Sequence, residues 1–156
     1  MKHKKGISLM VLGITIVVMI ILASTMVVSC QNMITDTLKQ DFASEIYSLQ
    51  KLVDSYYYLN QEYPILASIQ IDLSEIDPIW WSQFEGEDII SQKIELYQID
   101  LEKCDVEQLK RGVGKTSKDY YAVSQKTGKI YYIQGFQSEN AIYYTLTPEL
   151  KSVIGI

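Results

Sequence analysis

A long, mostly apolar run without any charged residue lies near the start of the chain. Residues 7–30 (ISLMVLGITIVVMIILASTMVVSC) carry no charged side chain and directly follow a basic segment, MKHKKG. At least about 18 consecutive apolar residues can form a membrane-spanning helix, and about 22 residues of helix rise about 33 Å. The pattern therefore predicts a leader at 1–6 and a transmembrane helix over 7–29.

Beyond this run the apolar residues recur at spacings of three or four, with acidic and amide residues between them. This spacing is typical of an amphipathic helix with one apolar stripe. Neither Pro nor Gly occurs in 14–63, so we expect one continuous helix, roughly 80 Å long, whose amphipathic part covers 30–63. Pro64 disfavours helix at the preceding residue and ends it. The stripe consists of Ile34, Leu38, Phe42, Ile46, Leu49, Val53, Tyr56 and Leu59.

Short alternating patterns follow in 64–156 and predict a globular head. Asp105 with Gln108 resembles a capping box and predicts a short helix through Lys110, ended by Gly112 and Gly114. The loop 125–128 predicts a β-hairpin. Strands are predicted at 69–73, 94–99, 119–124, 129–134 and 142–146, the last antiparallel to its neighbour. The fold class is therefore α+β: a long N-terminal helix packed against a small antiparallel sheet.

Charge and cysteine content narrow the possible partners. The net charge is −5, and −8 without Lys2, Lys4 and Lys5, which argues against binding to nucleic acid. Because these lysines precede the span, we expect the N-terminus in the cytoplasm and the head outside it. Cys30 ends the apolar run and Cys104 lies deep in the head, so we expect unpaired thiols rather than a disulfide.

Motifs for catalysis are incomplete. The segment 112–116 (GVGKT) resembles the end of a phosphate-binding loop, but the position that requires the first glycine is Leu109. The single histidine, His3, lies in the leader, so the head has no histidine for acid–base catalysis or for activating a nucleophile. We expect neither an enzyme nor a cofactor.

The segment 72–88 is acidic and contains adjacent tryptophans. Its carboxylates do not have the spacing of a calcium-binding loop, so we expect a solvated loop. Trp80 and Trp81 would point to opposite faces if they lay on a strand, with one in the core and the other available as a contact.

The N-terminal residues resemble the processing and assembly signal of type IV pilins and pseudopilins. The resemblance lies in Lys4-Lys5-Gly6, in Ile7-Ser8-Leu9 and in the apolar helix that follows. It extends more weakly to the helix exit, 56–64 (YYYLNQEYP), and beyond that only to the architecture. Within the family, the sequence of residues 6–24 is most similar to pilin-like proteins of Gram-positive, clostridia-type bacteria.

This resemblance implies cleavage by a prepilin peptidase between Gly6 and Ile7, with possible methylation of the new amino group at Ile7. The subunit would rest in the cytoplasmic membrane by a single span, in contact with lipid, with its head outside the cytoplasm. An inner-membrane assembly platform would then move it into a cell-surface filament, where the apolar helices of other pilin or pseudopilin subunits replace lipid. The filament would be of the type IV pilus or type II secretion kind.

One departure from the family indicates which subunit this is. The family usually has a glutamate four residues after the first mature residue, and this chain has Val11. The family's carboxylate is thought to pair with the amino terminus of a neighbouring subunit. Its absence favours a minor pilin or pseudopilin over the main building block.

Two other interpretations of the same segment remain open. Residues 27–30 (VVSC) form an acceptable lipobox, so Cys30 could be lipidated and become the first residue of a lipoprotein. The apolar run is long for such a signal, and the amphipathic stripe past Cys30 is then unexplained. The chain could also be an uncleaved single-span protein that displays a small binding domain outside the cytoplasm.

Overall fold

The computed structural model describes residues 9–106 and 108–156, with side chains for 10–24, 33–106 and 108–156. The chain divides into two compact units, Met1–Thr37 and Leu38–Ile156. Among the described residues, two α-helices, six β-strands and two 3-10 helices are found. They are α1 (Leu9–Asn60), β1 (Ile65–Asp72), the 3-10 helices Leu73–Glu75 and Pro78–Phe84, β2 (Lys93–Ile99), β3 (Tyr121–Val123), β4 (Ile130–Tyr132), β5 (Phe136–Ser138), β6 (Ala141–Tyr143) and α2 (Pro148–Val153).

The predicted uninterrupted helix is confirmed over the described residues as α1, Leu9–Asn60. It ends at Asn60 rather than at 63 because Gln61 adopts a left-handed conformation, with φ of 58°. The Gln61 N–H still donates to the Tyr57 carbonyl at 2.8 Å. This is the usual hydrogen bond of a helix C-terminus, and Pro64 follows.

No helix in the described part of the chain is long and apolar enough to cross a membrane. The predicted span, 7–29, extends beyond the described side chains of this segment, 10–24, at both ends. The predicted leader at 1–6 lies outside the described residues. The transmembrane assignment therefore stays a prediction from the sequence.

The described strands of the Leu38–Ile156 unit form two antiparallel sheets. The first has four strands in the order β1-β2-β3-β4, and the second pairs β5 with β6. The predicted hairpin is confirmed, since β3 pairs with β4 through Tyr121 opposite Tyr132 and Val123 opposite Ile130. The strand predicted at 142–146 is β6, and its antiparallel neighbour is β5, which the pattern did not predict. The coarse fold class, α+β with a small antiparallel sheet, is therefore confirmed.

The four-stranded sheet is covered on both faces. One face packs on α1, whose side chains Phe42, Ile46, Leu49 and Val53 are buried against the sheet. Its partners from the sheet include Ile99, Tyr121, Val123, Ile130 and Tyr132. The other face carries Ile94, Leu96, Ala122 and Tyr131, which pack with Leu73 and Phe84 of the 3-10 segments. Alternation along each strand thus gives the sheet two apolar faces rather than one.

Two local predictions were wrong. The helix predicted from Asp105 to Lys110 is absent among the described residues of that segment, and Asp105 has a φ of 53°. The Lys110 N–H donates instead to the Glu45 carboxylate of α1 at 3.1 Å. Trp80 and Trp81 lie in the 3-10 helix Pro78–Phe84 rather than on a strand.

Within that 3-10 helix, Trp81 packs on the apolar face that contains Leu73. Its indole N–H donates to the carbonyls of Leu73 and Ile76, at 3.1 Å and 3.0 Å. Trp80 is half-buried. Asp77 caps this helix and Pro78 occupies its first turn, so the proline begins an element here instead of ending one.

Candidate assembly site

The residues predicted to direct processing lie at the limit of the described structure. Gly6 and Ile7 are outside the described residues, as is the side chain of Cys30. Val11 is described, lies on α1 and is 55% exposed. Of the predicted site residues, Val11 is therefore the one whose surroundings the structure gives.

An exposed apolar surface surrounds Val11. Every described side chain from Met10 to Ser24 is exposed, and none carries a charge. The hydroxyl groups of Thr15 and Ser24 donate to the Val11 and Ile20 carbonyls at 2.7 Å and 2.8 Å. Because both hydroxyl groups bond to carbonyls of the same helix, they do not need water as a partner. The surface of residues 10–24 therefore suits an apolar environment. We call 10–24 the apolar segment of α1.

In the other unit, Glu45 of α1 holds the loop that follows β2. Its carboxylate accepts hydrogen bonds from the Tyr121 hydroxyl at 2.7 Å and from the Arg111 N–H at 3.1 Å. The Arg111 guanidinium lies over the rings of Phe136 and Phe42, at 4.8 Å and 5.4 Å from their centroids. Its Nη1 is 3.6 Å from Glu45 Oε2. One helical carboxylate thereby organises both the loop and the aromatic core beside it.

The GVGKT segment, 112–116, wraps around an internal carboxylate. Asp119 is buried and accepts hydrogen bonds from the N–H groups of Gly112 and Lys115, at 2.7 Å and 2.8 Å. The Tyr132 hydroxyl donates to it at 2.8 Å. Burial raises the pKa of Asp119, but the backbone hydrogen bonds from Lys115 and Gly112 and the Tyr132 hydroxyl together hold it below its usual value. The donors that would hold a phosphate in such a loop already hold this carboxylate.

Gly112 is required for this arrangement. Its φ is 73°, and a Cβ at this position would collide with the ring of Tyr121. A glycine therefore permits both the left-handed turn and the close approach.

The C-terminal helix α2 is tied to α1 by an ion pair. Lys39 Nζ lies 2.9 Å from Glu149 Oε1 and 5.7 Å from the centroid of the Tyr143 ring. The hydrogen bond from Lys39 lowers the pKa of Glu149, and the same bond raises the pKa of Lys39. The Lys39 side chain is mostly buried whereas Glu149 is exposed, so the pair is partly screened by solvent.

The acidic segment 72–88 has its carboxylates distributed among separate partners. Glu75 pairs with Lys118 at 3.0 Å, and Asp88 pairs with Lys126. Glu87 accepts hydrogen bonds from Ser124, Thr127 and Tyr131. In the described part of the chain, no group of three or more His, Cys, Asp or Glu residues is placed to hold a metal ion.

Cys104 is a free, buried thiol. Burial raises its pKa to about 11, and the nearby Asp100 carboxylate contributes to the rise. The thiol therefore stays protonated at neutral pH and is a poor nucleophile.

Sequence reasoning missed Asp119 and Glu45. Both act through partners distant in sequence or through a loop conformation, so no short motif signals them. For α2, by contrast, a signal was available: Thr147 as N-cap, Pro148 in the first turn and Glu149 after it.

Comparison with models of known protein families, with curated proteins and with solved structures finds no match to this chain.

Proposed function

We propose that this chain is a minor pilin or pseudopilin, a structural subunit of a type IV pilus-like or type II secretion-like filament. It would be processed between Gly6 and Ile7, held in the membrane by its N-terminal helix and assembled through that helix. The proposal joins the leader sequence with the exposed apolar segment of α1. That this α+β fold is specifically a pilin fold is also part of the proposal.

One observation carries the proposal. The same helix, α1, has an uncharged, exposed segment at 10–24 and a buried stripe from Phe42 to Val53 that forms the core of the head. A head needs only the second part. An exposed apolar surface of this extent is unfavourable in water and requires lipid or protein around it. A subunit that exchanges lipid for neighbouring helices uses both parts of α1.

The mass of the mature N-terminus tests the proposal. The chain would be produced in cells with and without a prepilin peptidase, extracted in detergent and analysed by intact mass spectrometry. We expect a chain that begins at Ile7, with or without one methyl group, only when the peptidase is present. Gly6→Ala is expected to block the cleavage, and Cys30→Ser to leave it unchanged.

Two results would contradict the proposal. A chain that begins with a lipidated Cys30 would identify a lipoprotein. A chain that keeps residues 1–6 in the presence of an active peptidase would identify an uncleaved single-span protein.

A further inference from the structure

The two edges of the four-stranded sheet differ in what covers their main chain. At the β4 edge, the Ile130 N–H donates to Gln50 Oε1 at 3.1 Å, and the Ile130 carbonyl accepts from the Thr145 hydroxyl at 2.7 Å. The Tyr132 N–H donates to the Tyr144 carbonyl at 2.6 Å. The chain therefore closes this edge with its own groups.

The β1 edge is open. Lys93 exchanges both of its main-chain hydrogen bonds with Ile90, at 2.9 Å and 3.0 Å, so its pair with Asp72 is not hydrogen-bonded. Because hydrogen-bonded and non-hydrogen-bonded pairs alternate in an antiparallel ladder, the main-chain groups of Ser68, Gln70 and Asp72 face away from β2. Among the described residues, none of these outward groups bonds to another element.

The composition of β1 does not protect this edge. Natural edge strands are commonly blocked by lysine, proline, bulges or shortness. β1 contains no Lys, Pro or Gly and has Asp72 as its only charge, and its bulge lies between Ile65 and Ser68, outside the stretch 68–72. An unblocked stretch of this kind is a site for adding another strand.

A bulge restricts the register in which a strand can be added. The pairing of β1 with β2 shifts between Ile65 and Ser68, so the regular ladder runs from Ser68 to Asp72. The centre of this stretch is Gln70, whose main chain faces outward. Two such stretches can therefore pair in an antiparallel manner about a two-fold axis at Gln70.

We propose that β1 is the docking edge for β1 of a second copy of this chain, in that register. Gln70 then lies opposite Gln70 of the second copy, and Ser68 lies opposite Asp72. Asp72 is the only charged residue of β1. Because it lies opposite Ser68 in this register, the two carboxylates of the pair do not face each other. The Gln side chains carry both donors and acceptors, so they can bond to each other. Each hydrogen-bonded pair exchanges two N–H···O bonds.

The side chains between these pairs are also complementary. Ile69 and Ile71 are half-buried and pack on the apolar face that contains Leu73 and Phe84. In the proposed register Ile69 lies opposite Ile71 of the second copy. Strand addition would cover the exposed remainder of both side chains and extend this apolar layer from one head into the next.

The pairing does not depend on the proposed filament function. A two-fold contact closes on itself, whereas filament growth requires a contact that repeats. The β1 pair would therefore join two heads without lengthening a filament.

Cysteine cross-linking tests the register. The full chain in detergent would carry Cys30→Ser together with either Gln70→Cys or the control Gln137→Cys, which places a thiol on an exposed residue of β5. Opposed residues of a hydrogen-bonded pair lie about 5.5 Å apart at Cα, within the range for a disulfide. We expect mild oxidation to yield a covalent dimer of the Gln70→Cys chain and only background dimer of the control. Equal yields would overturn the proposal.

A second comparison separates main-chain pairing from contacts made by the apolar segment of α1. Gln70→Pro removes an N–H that has no partner among the described residues of one copy, so the fold should tolerate it. Gln70→Ala keeps that N–H. We expect sedimentation in detergent to show loss of dimer for Gln70→Pro and its retention for Gln70→Ala. Dimer that persists in Gln70→Pro would contradict pairing through β1.

The outcome is independent of processing. Cleavage between Gly6 and Ile7 leaves β1 unchanged, so failure to cross-link at Gln70 would leave the filament proposal standing. Failure of cleavage would equally leave the β1 pair standing.

Discussion

Asp119 shows how a buried carboxylate can serve as a structural anion. It is 2% exposed and accepts hydrogen bonds from Gly112, Lys115 and Tyr132. A buried carboxylate without donors would be strongly unfavourable, whereas this one is matched by them. The loop 112–119 therefore depends on one charge for its conformation.

Replacing Asp119 tests this dependence. Asp119→Ala leaves buried donors unpaired, and we expect a loss of about 1–3 kcal/mol in the free energy of unfolding. Asp119→Asn keeps one acceptor oxygen and should lose less. Chemical denaturation of the full chain in detergent, followed by tryptophan fluorescence, measures both. An Ala variant as stable as the unsubstituted chain would rule out a structural role for this carboxylate.

The unsubstituted chain and Asp119→Asn should also differ in how their stability depends on pH. The pKa of Asp119 is lower in the folded chain than in the unfolded chain, so its charge stabilises the fold above the unfolded value of about 3.9. That contribution is lost as the pH falls through the folded pKa. We therefore expect the stability difference between the unsubstituted chain and Asp119→Asn to be full at neutral pH and to shrink toward pH 3. A difference independent of pH would contradict this account.

At the scale of elements, the head depends on the packing of α1 against the sheet. Phe42 is fully buried, and its ring is stacked on Phe136 with centroids 4.7 Å apart. The guanidinium of Arg111 covers Phe42 as well. This one aromatic ring therefore joins α1 to the second sheet and to the loop that Glu45 holds.

Phe42→Ala should accordingly be among the most damaging changes in the head. We expect a loss of about 3–5 kcal/mol from the removed burial and the cavity left behind. Tyr58→Ala, at an 80% exposed position of the same helix, should change stability by no more than about 0.5 kcal/mol. Denaturation curves for the two variants provide the measurement. Similar losses for both would show that the α1 stripe does not form the core.

The elements that could be predicted from sequence are those whose reasons are local. The β3–β4 hairpin follows from alternation and from Gly128, which has a φ of 71° in the turn, and α1 follows from its apolar spacing. The helix expected at Asp105–Lys110 fails because the Lys110 N–H finds its acceptor in Glu45, 65 residues earlier. Strands as short as β5 carry too few residues for a period to emerge.

For the candidate site the division is similar. The candidate leader at 1–6, the apolar run and Val11 could be singled out from sequence order alone, and the leader stays a prediction. The open edge of β1 could not, because it depends on the pairing of β1 with β2 and on which elements leave its outward main-chain groups uncovered. Hydrogen bonds that are absent leave no pattern in a sequence.

At the scale of the whole molecule, the proposed function assigns different tasks to the two ends of α1. Under that proposal, its apolar segment, 10–24, contacts lipid or other subunits, whereas its stripe from Phe42 to Val53 packs in the head. Val11 lies in the first of these and holds the place where the family usually has glutamate. α1 is a regular helix at this position, so its formation does not require a carboxylate at residue 11.

Restoring the carboxylate tests the minor-subunit assignment. We expect Val11→Glu to increase the share of this subunit in sheared filaments by about tenfold, if the new carboxylate gains a charge-assisted hydrogen bond from a neighbouring amino terminus. Val18→Glu places the same charge where no such partner is expected, and it should lower the share. Quantitative immunoblotting of filament fractions measures both. Equal effects of the two variants would contradict specific pairing at residue 11.

The closure of β4 has a consequence for chains that are cut short. Tyr144 and Thr145, which seal that edge, follow all four strands of the sheet. A chain that ended before them would keep the bond from Ile130 to Gln50 but lose the other two hydrogen bonds at this edge, and in the proposed arrangement both β1 and β4 could then accept a strand from another copy. With Tyr144 and Thr145 in place, β4 is covered, so in the proposed arrangement the four-stranded sheet pairs through β1 alone. We therefore expect truncation before Tyr144 to favour open-ended association over the proposed pair.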